Sequence, residues 1–203
     1  ITCRDWSSDV CSSDLGQVIK KVVENSGGNP FFIEETVRSL IEVGAYGSTR
    51  GGLTNSKSFE TIEIPNSIDA MIMSRIDRLD DAMRELLRVA SVIGRSFFLR
   101  VLSRVCRNEA DLGPCIDELE DMQILRHRIR LDEIEFLFKH VLYQETIYRS
   151  ILLRSRKEIH LTVARAIEEL FSTRLSDFYG ILAYHYTQAE ELDKAEEIGR
   201  AHV

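Results

Sequence analysis

One change of apolar rhythm constrains this chain more than any other feature. From Ile68 to Met122 the apolar residues recur at helical spacing, and from Ile124 to Phe138 they do not. Ile68, Met71, Ile72, Ile76 and Leu79 form one helical face, with Ser67 placed to cap it. Met83, Leu86, Leu87, Ala90 and Ile93 form a second, started by Asp80 or Asp81 and ended by Gly94. A short helix is predicted over Phe98 to Val105, and another carries Ile116, Leu119 and Met122. Ile124–Ile129 and Ile134–Phe138 are two β-type runs. The polar Arg130-Leu131-Asp132-Glu133 between them reads as a hairpin.

Three helices followed by a hairpin are the layout of a winged helix, placed at 64–138. Helical patterns flank it on both sides. Gln17 to Asn25 reads as a helix end with Val18, Ile19, Val22 and Val23 on one side. Gly27-Gly28-Asn29-Pro30 breaks it, and Phe31 to Val43 resumes helix. The stretch from Gly44 to Ser58 is rich in Gly, Ser, Thr and Asn and reads as a flexible loop or linker. After the hairpin, Val141, Leu142, Ile147, Ile151 and Leu152 form one apolar set, and Ile159, Val163, Ile167 and Leu170 another. Ser172 to Asp177 is a break, Phe178 to Glu190 is helical again, and a further helix begins near Asp193. The expected fold is mostly α. A helical segment at 16–45 is followed by a linker at 46–63, the winged helix at 64–138, a helical linker at 139–172 and helical hairpins from 173 to 196.

The two ends read differently. A codon choice for Asp9 to Leu15, taken as its reverse complement, encodes Glu197 to Val203 in order. Asp5 to Leu15 also resembles a translated sequencing-library adapter. Residues 1–15 and 197–203 are therefore set aside from fold reasoning, as an expression scar is. Of the cysteines, Cys106 and Cys115 then remain, which suits a reducing cytoplasm and two apolar thiols better than a metal half-site. The 203 residues are 44% apolar and 29% charged, which excludes collagen, a disulfide scaffold and a disordered tail. The net charge of −7 disfavours a general nucleic-acid binder, and no apolar run approaches membrane-spanning length.

Several segments together resemble a family. Gly28-Asn29-Pro30-Phe31-Phe32-Ile33-Glu34-Glu35 is similar to the GNPFFxEE signature of the signal-transduction ATPases with numerous domains, the STAND class. Ile64-Pro65, Arg75-Ile76-Asp77-Arg78-Leu79, Ala90 to Phe97 and Phe136-Leu137-Phe138-Lys139-His140 continue the resemblance, which covers nearly all of 16–196. Such proteins are large bacterial regulators, often AAA-type ATPases fused to class III adenylate or guanylate cyclase domains and followed by tetratricopeptide repeats. The resemblance implies that 16–45 is the end of an ATPase lid and that a P-loop domain precedes it. No G-x-x-x-x-G-K-[ST] occurs in this chain, so the chain alone is not expected to hydrolyse ATP.

The same resemblance implies ATP or ADP as ligand, with Mg²⁺ held by the P-loop part. It offers Gly28, Asn29, Pro30 and His140 as nucleotide contacts. Pro30 stands where the family's G-x-P motif packs a rigid ring against adenine, and glycines permit close backbone approach. Residue by residue, Gly-Gly-Asn-Pro is equally a helix end followed by a turn. His140 is similar in place to the histidine of the Met-His-Asp motif of NB-ARC ATPases, which reads the ADP β-phosphate; Val141 replaces the aspartate. An imidazole at a helix start donates readily to phosphate, and a plain helix-start histidine looks the same. The implied mechanism is a switch in which ADP holds the ATPase core against the winged helix and ATP releases it. No catalytic residue and no metal site are expected.

A winged helix commonly reads DNA with its third helix. Here the segment from Asn108 to Met122 carries Glu109, Asp111, Asp117, Glu118, Glu120 and Asp121 and no Lys or Arg. Affinity for DNA comes largely from cations that neutralise phosphate, and carboxylates repel it, so DNA contact there is rejected. Arg149, Arg154, Arg156, Lys157 and His160, interleaved with Glu145 and Glu158, read as a solvated face. Tyr179, Leu182, Ala183, Tyr186 and Ala195 match the spacing of a tetratricopeptide repeat and support a scaffold reading. Glu34 and Glu35 are read as favouring the start of their helix rather than as an acid pair. The expected partners are the P-loop and effector domains of the same protein and a protein or small ligand on the repeats, in the cytoplasm, with no nucleic acid and no membrane. The alternatives are a transcriptional regulator of similar architecture or a protein-interaction scaffold.

Overall fold

The computed structural model describes residues 19–42, 46–49, 52–55, 67–106, 112–130 and 133–201. It is mostly α with one small three-stranded sheet, and the chain divides into two compact units, 1–75 and 76–203.

The first unit holds α1 (residues 19–26), α2 (Pro30–Glu42), a two-stranded antiparallel ladder of β1 (Tyr46–Thr49) and β2 (Gly52–Asn55), and all but the last residue of α3 (Ile68–Ile76). The ladder falls within the segment expected to be linker. The high Gly, Ser and Thr content of that segment obscures both strands. Residues 68–75, expected to open the winged helix, fall in the first unit, where a buried ion pair holds α3 to α2. Arg75 of α3 reaches Glu35 of α2 at 2.5 Å, and both side chains are 1% exposed. Thr36 Oγ1 of α2 lies 3.1 Å from Met71 Sδ of α3.

The second unit opens with α4 (Asp81–Ile93). Asp80 caps it, its carboxylate accepting from the Met83 amide at 2.7 Å. Met83, Leu86, Leu87, Val89, Ala90 and Val92 bury its inner face. Gly94, at φ 143, ends the helix and turns the chain into β3 (Ser96–Phe98), α5 (Leu99–Val105) and α6 (Leu112–Asp121). The hairpin follows as β4 (Leu125–Arg130) and β5 (Glu133–Phe138), whose strands take in Arg130 and Glu133 from the polar stretch expected between them. Strand order is β3-β5-β4, all antiparallel, with Phe97 opposite Phe136 and Arg128 opposite Glu135. Helix, strand, two helices and hairpin in this order, with the first strand beside the last, form a winged helix. The strand β3 is invisible to the apolar pattern because three residues are too few to show alternation.

Each face of the sheet meets a different core. Phe97, Phe136 and Phe138 share one face, with ring centroids 6.1 and 6.2 Å apart. Phe98 points the other way, toward Phe171 and Phe178, whose rings stack at 4.1 Å. Those two belong to a second core with Val101, Val163, Ala164, Ile167, Leu182 and Tyr186. It joins the winged helix to α8 (Leu153–Leu170), a 3-10 segment (Ser172–Phe178) and α9 (Tyr179–Gln188), while α7 (Val141–Ser150) packs on α4. α10 (Leu192–Ala201) packs on α9 as a helical hairpin and continues through the first residues read as adapter-encoded. Among the described residues no helix is long and apolar enough to cross a membrane.

Candidate functional site

The four candidate nucleotide residues lie in two places. Gly28, Asn29 and Pro30 are in the first unit and His140 is in the second.

The turn of the first unit is built from its own sequence. Gly27 and Gly28 have φ of 54 and 84, a left-handed backbone that ends α1 and that side-chain-bearing residues resist. A Cβ added at either glycine meets nothing within 4 Å, so conformation rather than close approach requires glycine there. The Asn29 amide donates to the Ser26 carbonyl at 2.9 Å. The Asn29 side-chain oxygen then accepts from the Phe31 amide at 3.0 Å, which caps α2. Pro30 is the first residue of α2, where its missing N–H costs nothing. Its ring is exposed. The break expected at Gly-Gly-Asn-Pro is therefore a tight junction between two helices.

Glu34 and Glu35 do diverge, but not at the helix start. With Pro30 opening α2, both carboxylates lie beyond its first turn. Glu34 faces solvent and pairs with Arg38 at 3.0 Å. Glu35 turns inward to Arg75. Two segments that carry the family resemblance, FFIEE and RIDRL, thus meet in one buried salt bridge.

His140 sits between β5 and α7, at the cap position of α7, and its side chain does not cap that helix. The junction is fixed by backbone bonds on both sides: the Phe138 amide to the Arg95 carbonyl at 3.1 Å and the Lys139 amide to the Ile124 carbonyl at 2.9 Å. α7 is tied to α4 by Gln144, whose amide nitrogen donates to the Ser91 carbonyl at 2.7 Å. A displacement at His140 would therefore be felt by the wing, by α4 and by α7.

The third helix of the winged helix, α6, begins at Leu112 and takes Gly113-Pro114 into its first turn. Glu109 and Asp111 lie outside the described residues. Leu112, Ile116 and Leu119 face inward, and Asp117, Glu118 and Asp121 face solvent. Its outer face is acidic.

The basic residues of α7 and α8 are mostly the solvated face expected of them. Arg149 pairs with Glu145 at 2.9 Å and Arg154 with Glu158 at 3.2 Å. His160 is the exception. It is 0% exposed, as is His185 of α9, and their Nδ1 atoms lie 2.8 Å apart. Tyr148 of α7 completes the chain, its hydroxyl 3.0 Å from His160 Nε2. Two neutral rings satisfy both contacts, each contact taking one proton. Burial first, and then the Arg156 charge, lower the His160 pKa to about 4. Burial and His160 lower that of His185 to about 3, against the pull of the Ile93 carbonyl. The signal was present in the sequence: His160 stands at helical spacing with Val163, Ala164 and Ile167.

Cys106 and Cys115 form no disulfide and line one cavity of about 620 Å³ among α4, α5, α6 and α8. Burial and Glu85 push the Cys106 thiol up to about 11, so it is protonated and unreactive at neutral pH.

No family model matches the chain. It is similar to an uncharacterized protein of Rhizobium meliloti (strain 1021), 28% identical over 173 residues. That match covers 84% of this chain and 16% of the relative, so the chain spans a small part of the relative's length.

Proposed function

We propose that this chain is the relay segment of a STAND-type signalling ATPase, a lever that couples a nucleotide pocket to a helical-repeat sensor. ADP, held mainly by a P-loop domain of the same protein, contacts the Gly28-Asn29-Pro30 turn and His140 and keeps the lever closed. ATP exchange opens it. A cyclase fused to the same protein is one output consistent with the resemblance.

The observation that carries this reading is the buried Glu35–Arg75 pair. It holds the helix that follows the turn against α3, so the two segments FFIEE and RIDRL that carry the resemblance are packed together within the first unit. Two further features support a lever over a DNA reader. The solvent face of α6 is acidic, and one face of the sheet is covered through Phe98 by Phe171 and Phe178, which flank and end the 3-10 segment.

The reading predicts that the purified chain neither turns over ATP nor binds duplex DNA with micromolar or better affinity at about 150 mM salt. ATPase assay and fluorescence anisotropy check this. Steady turnover, or micromolar or tighter DNA binding at that salt, contradicts the lever.

A further inference from the structure

The winged helix has an open sheet edge. β4 pairs with β5 on one side and with no described strand on the other. The Lys139 amide donates to the Ile124 carbonyl, so alternate residues Arg126, Arg128 and Arg130 direct their backbone groups inward to β5. His127 and Ile129 direct theirs outward. Every side chain from Arg126 to Arg130 is exposed, and Ile129 is 79% exposed.

The two faces of this edge differ sharply in charge. Arg126, Arg128 and Arg130 share one face. Arg128 and Arg130 divide one carboxylate, Glu135, at 2.5 and 3.1 Å. Alongside, Arg100 and Arg174 divide a single oxygen of Glu133, each at 3.0 Å. Both guanidiniums lie over the Phe171 ring, at 5.5 and 5.2 Å. Arginines thus outnumber the carboxylates that serve them, and the side chains of Arg100, Arg128, Arg130 and Arg174 are 39–55% exposed. The opposite face carries Ile129 and His127 beside a groove of about 560 Å³ whose apolar wall is Leu99, Ile116, Ile134 and Phe136. Glu120 and Asp117 stand on that side, with Glu120 at 2.7 Å from His127.

We propose that β4 is a docking edge for an extended segment of a partner protein in which acidic and apolar residues alternate. Added as a fourth strand, the segment takes its backbone hydrogen bonds from His127 and Ile129. Its carboxylates fall on the arginine face and its apolar side chains on the groove face. The reverse orientation sets carboxylates against Glu120 and Asp117. The arginine row repels a second copy of the same edge, so one feature blocks self-pairing and admits the acidic strand. The proposal is independent of nucleotide.

The test is fluorescence anisotropy with a labelled peptide of alternating Val and Glu at low salt. Saturable binding is expected, weakened about tenfold or more by Arg126→Glu. Loss is expected with Ile129→Pro, whose ring deletes an outward N–H from an edge strand. On the unaltered protein, the same peptide N-methylated at its Val amides, which an antiparallel fourth strand directs at His127 and Ile129, is expected not to bind. N-methylation at the Glu amides leaves binding intact, and a Val-Lys peptide is expected not to bind. Absence of saturable binding, equal binding of the Val-Lys peptide, or equal binding of both N-methylated registers overturns the proposal. Thermal midpoints of the two variants confirm that they fold, and the modified peptides decide the matter if either does not.

Discussion

Arg75→Met is expected to destabilise the packing of α2 on α3 by roughly 3–5 kcal/mol, because it leaves the Glu35 carboxylate buried with its main counter-charge removed. Both side chains are 1% exposed, so water does not take over the lost interaction. Glu35→Gln should cost less, since the amide keeps a hydrogen-bonding oxygen while losing the charge. The double variant Glu35→Leu with Arg75→Met should recover most of the loss, because an apolar pair of similar volume carries no desolvation penalty. Hydrogen exchange of the α2 amides reads the effect locally. If Arg75→Met leaves α2 protection at its wild-type level, the pair does not join the helices as described.

Acid should weaken the second unit well above the pH at which carboxylates protonate. His160 and His185 are buried neutral, with pKa values of about 4 and about 3, against 6.5 in the unfolded chain. Their folded values are depressed, so the stability that depends on them is complete above pH 6.5. It is lost as pH falls from there toward the folded values, because the unfolded state takes up the protons first. Between pH 7.5 and 5 the two rings together should remove on the order of 3–4 kcal/mol. Glu135, whose pKa is lowered by Arg128, Ser96 and Arg130 against its own burial, adds its loss only at lower pH. Denaturant titrations across this range measure the slope. The variant His160→Leu with His185→Phe should flatten it whatever its absolute stability. A slope unchanged in that variant would show that the pair is not the titrating element.

Apolar spacing makes the helices and the hairpin legible, because each buries one continuous face that local sequence must supply. What each face packs against is not encoded locally. α3 has a clear apolar stripe, yet its place beside α2 depends on Arg75 meeting a residue forty positions earlier. Glu35 departs from its local pattern for a related reason: the start of α2 at Pro30 places it a turn deeper than a helix-start carboxylate. His160 is hard to read by composition alone, since a titratable side chain among arginines looks solvated until a partner helix covers it. The glycine-rich segment at 46–55 hides its ladder because neither strand carries an alternating apolar pattern.

The capping role of Asn29, the helix-start role of Pro30 and the cap position of His140 are structural jobs that nucleotide contact would share. ADP dissociation from the full-length protein, followed by stopped-flow with a fluorescent analogue, separates the two most directly. The relay account predicts release faster by about tenfold or more in both Pro30→Ala and His140→Ala, with the fold of each variant intact. Wild-type release in both would contradict it.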